Sequence, residues 1–193
     1  MWTTALSDHP LPVLPWSVAV GGALLGAITD ARSRRIPNLL TGPLLLLGLA
    51  CSFAWLGGPG LLDSLVGALV LGAPFVLLFV FAGGGAGDAK LMAALGSWLG
   101  LGQGLVALAS VCLVGLLLGL LFARRSGRLG TVLGRVRGIL IGAFASVATL
   151  GSWRAARAYF PPGDEGEEKL PYGLAIFGGV LVAALATWAR AAW

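Results

Sequence analysis

"AGGGAGDAKLMAALG", residues 82–96, sits between two long apolar runs at about 61–81 and 105–123. Gly83, Gly84, Gly85 and Gly87 crowd a single aspartate, Asp88, and Lys90 follows. Glycine ends helices and lets backbones approach closely, and aspartate is a preferred helix N-cap. The stretch therefore reads as the end of one helix and the start of another at about Ala89. The flanking runs decide the fold: they are either the core of a water-soluble protein or spans of a membrane protein.

Composition separates the two. The chain has 193 residues, of which 58% are hydrophobic and 11% charged, and its mean hydropathy is +0.92. A soluble domain carries about 25% charged residues. So much apolar surface cannot hide in one core of this size, so the solvent is the lipid bilayer.

A span needs about 20 mostly apolar residues. Candidates run from Leu14 (with Pro12 and Val13 before it) to Thr29, Leu39 to Leu56, Leu61 to Phe81, a short one from Ala89 fading at "GLGQG" (100–104), Leu105 to Ala123, and Tyr172 to Trp188. The short one needs shelter from neighbouring helices or a thinned bilayer. The segment from 124 to 168 differs. It opens with five arginines in "RRSGRLGTVLGRVRG", continues through "ILIGAFASVATLGSWRAARAYF", and ends in the acidic "PPGDEGEEKLPYG". Its middle reads as an interfacial or re-entrant helix at 138–158. The expectation is an all-α polytopic membrane protein, a single domain over 1–193, with about six transmembrane helices plus that helix inside a cytoplasmic or interfacial insertion at 124–168.

Charge sets the orientation. With "DARSRRIPN" in the cytoplasm, alternating spans put 12 of the 13 Lys and Arg on that side, all but Arg190, as the positive-inside rule requires. A crossing at 139–153 would move Arg154, Arg157 and Lys169 outside. The net charge of +5 is thus topological, and without an aromatic-interleaved basic stripe it does not predict nucleic-acid binding. The chain reads as multi-pass in the cell membrane. "MWTTALSDHP" lacks a basic n-region, so no cleaved signal peptide is expected.

Little chemistry remains. Cys51 and Cys112 lie in apolar runs with no CxxC, and His9 stands beside Pro10 with no HExxH context, so no metal site, disulfide or cofactor is expected. Of eight acidic residues, Asp8 is in the N-terminal tail. Asp63 is read as a first-turn cap on the outer side, and Asp164, Glu165, Glu167 and Glu168 form an exposed loop. Asp30 and Asp88 are left, and the topology puts both at the cytoplasmic edge of their helices. Singly, Asp88 is a helix cap and Asp30 an interface charge beside Arg32 or Arg34. Together they are two carboxylates at one depth. Two carboxylates held close cannot both ionise cheaply, so one keeps a proton. Such a pair hydrolyses an amide without metal, histidine or serine: the ionised partner takes a proton from water and the protonated one polarises the carbonyl. Gly85 and Gly87 then offer a bare backbone edge to an extended substrate. A P-loop is excluded, because Lys90 is followed by Leu91. A small transporter with the aspartates as a proton or cation site is the competing reading, weakened by their place at one edge rather than the midplane.

"TDARSRRIPN" (29–38), "GGGAGDAKLMAALG" (83–96) and "KLPYGLAIFGG" (169–179) occur in the same order as in the type IV prepilin peptidases, of the GxGD class of intramembrane aspartyl proteases, and the chain resembles that family from about 20 to 188. The resemblance implies that Asp30 and Asp88 are the catalytic pair. It implies a cytoplasmic-face site that cuts the short basic leader from prepilin or pseudopilin precursors, commonly after a glycine. It also implies site-shaping roles for Gly85, Gly87, Lys90, Pro37, Asn38, Pro171, Tyr172 and Gly173. Lys90 reads two ways, as a charge acting on Asp88 or as a snorkelling interface lysine. Many members carry an N-terminal insertion with paired CxxC motifs tied to N-methylation. This chain has none and resembles the short peptidase-only members, so methyltransferase activity is not expected. The precursor cut, the oligomeric state and the purpose of the acidic loop at 164–168 are not legible.

Overall fold

The computed structural model describes residues 13–82, 85–125 and 172–191. The expected helix at 138–158, the acidic loop and Pro171 lie outside them. The described residues form four helices: α1 (Val13–Ser33), α2 (Asn38–Ala82), α3 (Ala86–Arg125) and α4 (Tyr172–Ala191). Each is long and apolar enough to cross a membrane. Their outward side chains, such as Leu46, Leu69, Leu113 and Leu185, are exposed and apolar, the surface of a protein solvated by lipid. Hydroxyls fold back onto their own helices, Ser17 donating to the Val13 carbonyl and Thr187 to those of Ala183 and Ala184, which pairs these polar groups within the spans.

Two helices are broken rather than straight. Gly57 in α2 has φ 65° and ψ −149°, and Gly100 in α3 has φ 64° and ψ −171°. Only glycine adopts that backbone readily. "GGPG" (57–60) and "GLGQG" (100–104), where spans are expected to end, hold single-residue breaks at Gly57 and Gly100 with helix on both sides, and α3 begins at Ala86 rather than Ala89. Cross-contacts give the directions. The first half of α2 runs parallel to the first half of α3: Asn38 meets Lys90, and the Leu44 carbonyl accepts from Trp98 Nε1 at 2.8 Å. The second half of α2 runs antiparallel to it, Gly67 lying at Gly96 and Gly72 at Ala93 and Ala89.

The first half of α3 is the centre of the bundle. Leu91, Met92, Ala94, Leu95 and Ser97 are fully buried. Gly26 of α1 lies against Leu91, Gly22 against Leu95, and the Ser97 hydroxyl reaches the Leu45 carbonyl of α2. From Ala86 to the break at Gly100 this helix rises about 21 Å at 1.5 Å per residue, short of the roughly 30 Å hydrocarbon core. The expected shelter is present. At the far end Asp63 caps this neighbour rather than its own helix: its Oδ1 accepts the Leu101 N–H at 3.2 Å, just past the break.

Backbone packs directly on backbone at Gly67 and Gly96. A Cβ at Gly67 would lie 2.5 Å from the Gly96 carbonyl oxygen and 2.6 Å from the Gly100 carbonyl carbon. Small residues bring transmembrane helices together this way. Gly67→Ala is expected to destabilise by about 1–3 kcal/mol through overpacking. Gly42→Ala, whose Cβ meets nothing within 4 Å, is expected not to lower the thermal unfolding midpoint in detergent. Equal effects would contradict the crossing.

Candidate active site

The buried stripe of α1 runs through Trp16, Ala19, Ala23 and Ala27 to Asp30, at helical spacing. The last member of an inward-facing apolar row is thus a carboxylate, 9% exposed. It does not lie unpaired: Asp30 Oδ2 accepts the Gly173 N–H at 2.9 Å. Gly173 is the second residue of α4, and the first amides of a helix have no partner within it. A carboxylate there also meets the positive end of the helix dipole. The contact needs glycine, because a Cβ at 173 would lie 2.9 Å from Asp30 Cβ and 3.1 Å from Ala27 Cα.

Asp88 lies in the first turn of α3, two residues inside the boundary rather than at the cap. Its carboxylate turns back over Gly85, where a Cβ would sit 2.6 Å from Oδ2. Both aspartates thus stand at a helix N-terminus, Asp88 at its own and Asp30 at that of α4. They come from different helices and lie within reach of each other's charge, and Tyr172 is within reach of Asp88.

The turn between α1 and α2 closes the site on another side. Arg34 takes a left-handed conformation, φ 52°, and its N–H donates to the Asp30 carbonyl at 2.8 Å, an αL helix cap. Ile36 is buried between exposed neighbours and packs on Gly87, where a Cβ would be 3.0 Å from Ile36 Cβ. The Pro37 carbonyl accepts the N–H groups of Leu40 and Thr41 at 3.0 and 3.3 Å, so Pro37 caps the start of α2. Lys90 Nζ donates to Asn38 Oδ1 at 2.9 Å.

Asp30, Asp88, Gly85, Gly87, Lys90, Pro37, Asn38, Tyr172 and Gly173 therefore meet at one end of the bundle. Gly85 is exposed, whereas Ile36 fills the space beside Gly87. Ile36, Phe75 and Gly115 were not singled out from the sequence. Ile36 carried a signal, as the one apolar side chain after the arginines; Phe75 and Gly115 carried none. The Tyr172 ring meets Phe75 edge-on, centroids 5.8 Å apart at 65°, and its hydroxyl occupies the space beside Gly115, 2.5 Å from where a Cβ would be. Among the described residues no group of three or more His, Cys, Asp and Glu side chains is placed to hold a metal ion.

A family model described as the type IV leader peptidase family matches residues 17–120, more than half of the chain, including Asp30, Asp88 and the turn between α1 and α2. Comparison with curated proteins and with solved structures finds no match.

Tyr172 pins the start of α4 to α2 and α3, and an edge-to-face aromatic pair contributes about 0.5–1.5 kcal/mol beyond burial. Tyr172→Leu is expected to lower thermal stability by at least that much. Tyr172→Phe, which keeps the ring pair, is expected to retain most of it. Equal losses in calorimetry would assign the contribution to the hydroxyl instead.

Proposed function

The chain belongs to the type IV leader peptidase family, and from that premise we propose that it is an aspartic endopeptidase of the cell membrane in which Asp30 and Asp88 activate water to remove the basic leader from prepilin or pseudopilin precursors. The observation that carries this reading is the meeting of two carboxylates from separate helices at one end of the bundle, each seated at a helix N-terminus. The two halves of α2 and of α3, divided at Gly57 and Gly100, count as separate crossings. With α1 and α4 they make six. Arg32, Arg34, Arg35, Lys90, Arg124 and Arg125 then lie at or beyond the aspartate end, which makes that end cytoplasmic.

In the proposed reaction the ionised carboxylate takes a proton from water as the oxygen attacks the scissile carbonyl carbon. The protonated carboxyl donates to the carbonyl oxygen. Collapse of the tetrahedral intermediate breaks the C–N bond, the amine leaves with a proton, and the pair returns to one shared proton. The Gly173 amide holds one oxygen of Asp30 and leaves the other for water. The exposed backbone at Gly85, beside Asp88, is available to an extended peptide.

Asp30→Asn and Asp88→Asn are each expected to lower leader removal from a co-expressed prepilin-like precursor by about 10²–10⁴-fold or more, with the amount of protein in the membrane unchanged. Cleavage that survives both substitutions would overturn the reading. Proton-coupled uptake that depends on Asp88 would point to a transporter. Gly173→Ala is expected to reduce kcat on the order of 10- to 100-fold by displacing Asp30, with KM little changed in single-turnover and steady-state assays.

A further inference from the structure

The reading of Lys90 as a charge acting on Asp88 conflicts with its geometry. Residues two apart on a helix do not face each other. Asp88 is half-buried, Ala89 buried and Lys90 exposed, so the first turn of α3 carries Asp88 inward and Lys90 outward. The ammonium of Lys90 is engaged by Asn38 Oδ1 at 2.9 Å, the first residue of α2. Both side chains are exposed, so this bond does nothing for the core.

Its position is more telling. The Arg34 N–H holds the Asp30 carbonyl, Ile36 fills the space over Gly87, and Asn38 receives Lys90. Five residues of turn thus touch the backbone of one aspartate at one end and the turn carrying the other at the opposite end. The turn includes a left-handed non-glycine residue, Arg34, a conformation that persists only where surrounding contacts fix it. We propose that Lys90 is a positioning residue: its bond to Asn38 latches the 34–38 turn onto the start of α3 and so sets the spacing of Asp30 and Asp88. The inference rests on the peptidase reading. Lys90 touches neither substrate nor the reacting atoms, and its charge is incidental to the donor it supplies.

The test is a double-mutant cycle on the full-length protein in nanodiscs, with a synthetic peptide carrying a short basic leader, a glycine and an apolar helix. One hydrogen bond of this kind is equivalent to about a two- to tenfold change. N38A and K90M are each expected to lower kcat by that factor with KM unchanged. The K90M/N38A double variant is expected to be no slower than the slower single, because coupled sites are not additive. N38D, which keeps an acceptor, is expected to restore the rate. Loss of activity in K90M with N38A unaffected would overturn the latch in favour of a direct effect on Asp88. A rise in KM would overturn it in favour of substrate contact. Wild-type protein that leaves the peptide uncut would sink the peptidase reading instead. The cycle is then read in thermal unfolding, where coupling between the two sites supports the latch and additivity overturns it.

Discussion

A helix too short to cross the bilayer by itself sits at the centre of this protein, and its burial dictates the rest. The polar backbone at its ends cannot be left in hydrocarbon without partners. Other helices must therefore stand around it, and they must come close. Closeness explains the residue types: Gly22 and Gly26 on α1 admit Leu44 of α2 and Leu91 of α3, and Gly67 meets Gly96 with no side chain between. The polar links follow the same geometry, with Ser64 donating to the Ser97 carbonyl and Trp98 to that of Leu44. Asp63 then closes the far end by accepting the first amide past the break.

This arrangement also delivers the aspartates. Asp88 stands on the near end of the central helix. Asp30 lies one turn beyond Gly26, which with Gly22 packs on that helix at Leu91 and Leu95, so one packing register brings the second carboxylate to the depth of the first. α4 runs back along α1 and presents its unpaired first amides where α1 ends. Each carboxylate thus receives the field of a helix N-terminus, which favours negative charge by roughly 0.3–1 kcal/mol. That offsets part of the cost of holding two acids together.

Much of this was legible in the chain. Hydropathy placed every described helix within a few residues, because a span in lipid must be apolar along its whole length. The breaks at Gly57 and Gly100 were visible as glycine clusters, though their sharpness was not: composition shows where a helix ends, not that one residue turns it. Asp30 and Asp88 emerged by elimination, since each other acid had a plainer reading. What stayed hidden depends on tertiary contact. Asp63 reads as a cap of its own helix and caps another. Gly87 reads as open backbone and is covered by Ile36. Phe75 and Gly115 are ordinary members of apolar runs until Tyr172 lies against them.

One contact carries the candidate site beyond the matched stretch. The stretch that matches the leader peptidase family ends at residue 120, and it holds both aspartates. Yet the donor to Asp30 is the amide of Gly173, and the ring beside Phe75 is that of Tyr172, more than fifty residues further along the chain. A carboxylate buried this deeply without that donor would carry a desolvation cost that no other described hydrogen bond to its side chain offsets. The glycine at 173 is also the residue type that lets α4 approach the Cα of Ala27 closely enough to supply it. The last helix is therefore part of the candidate site, and the matched stretch alone would leave Asp30 without its described side-chain hydrogen bond.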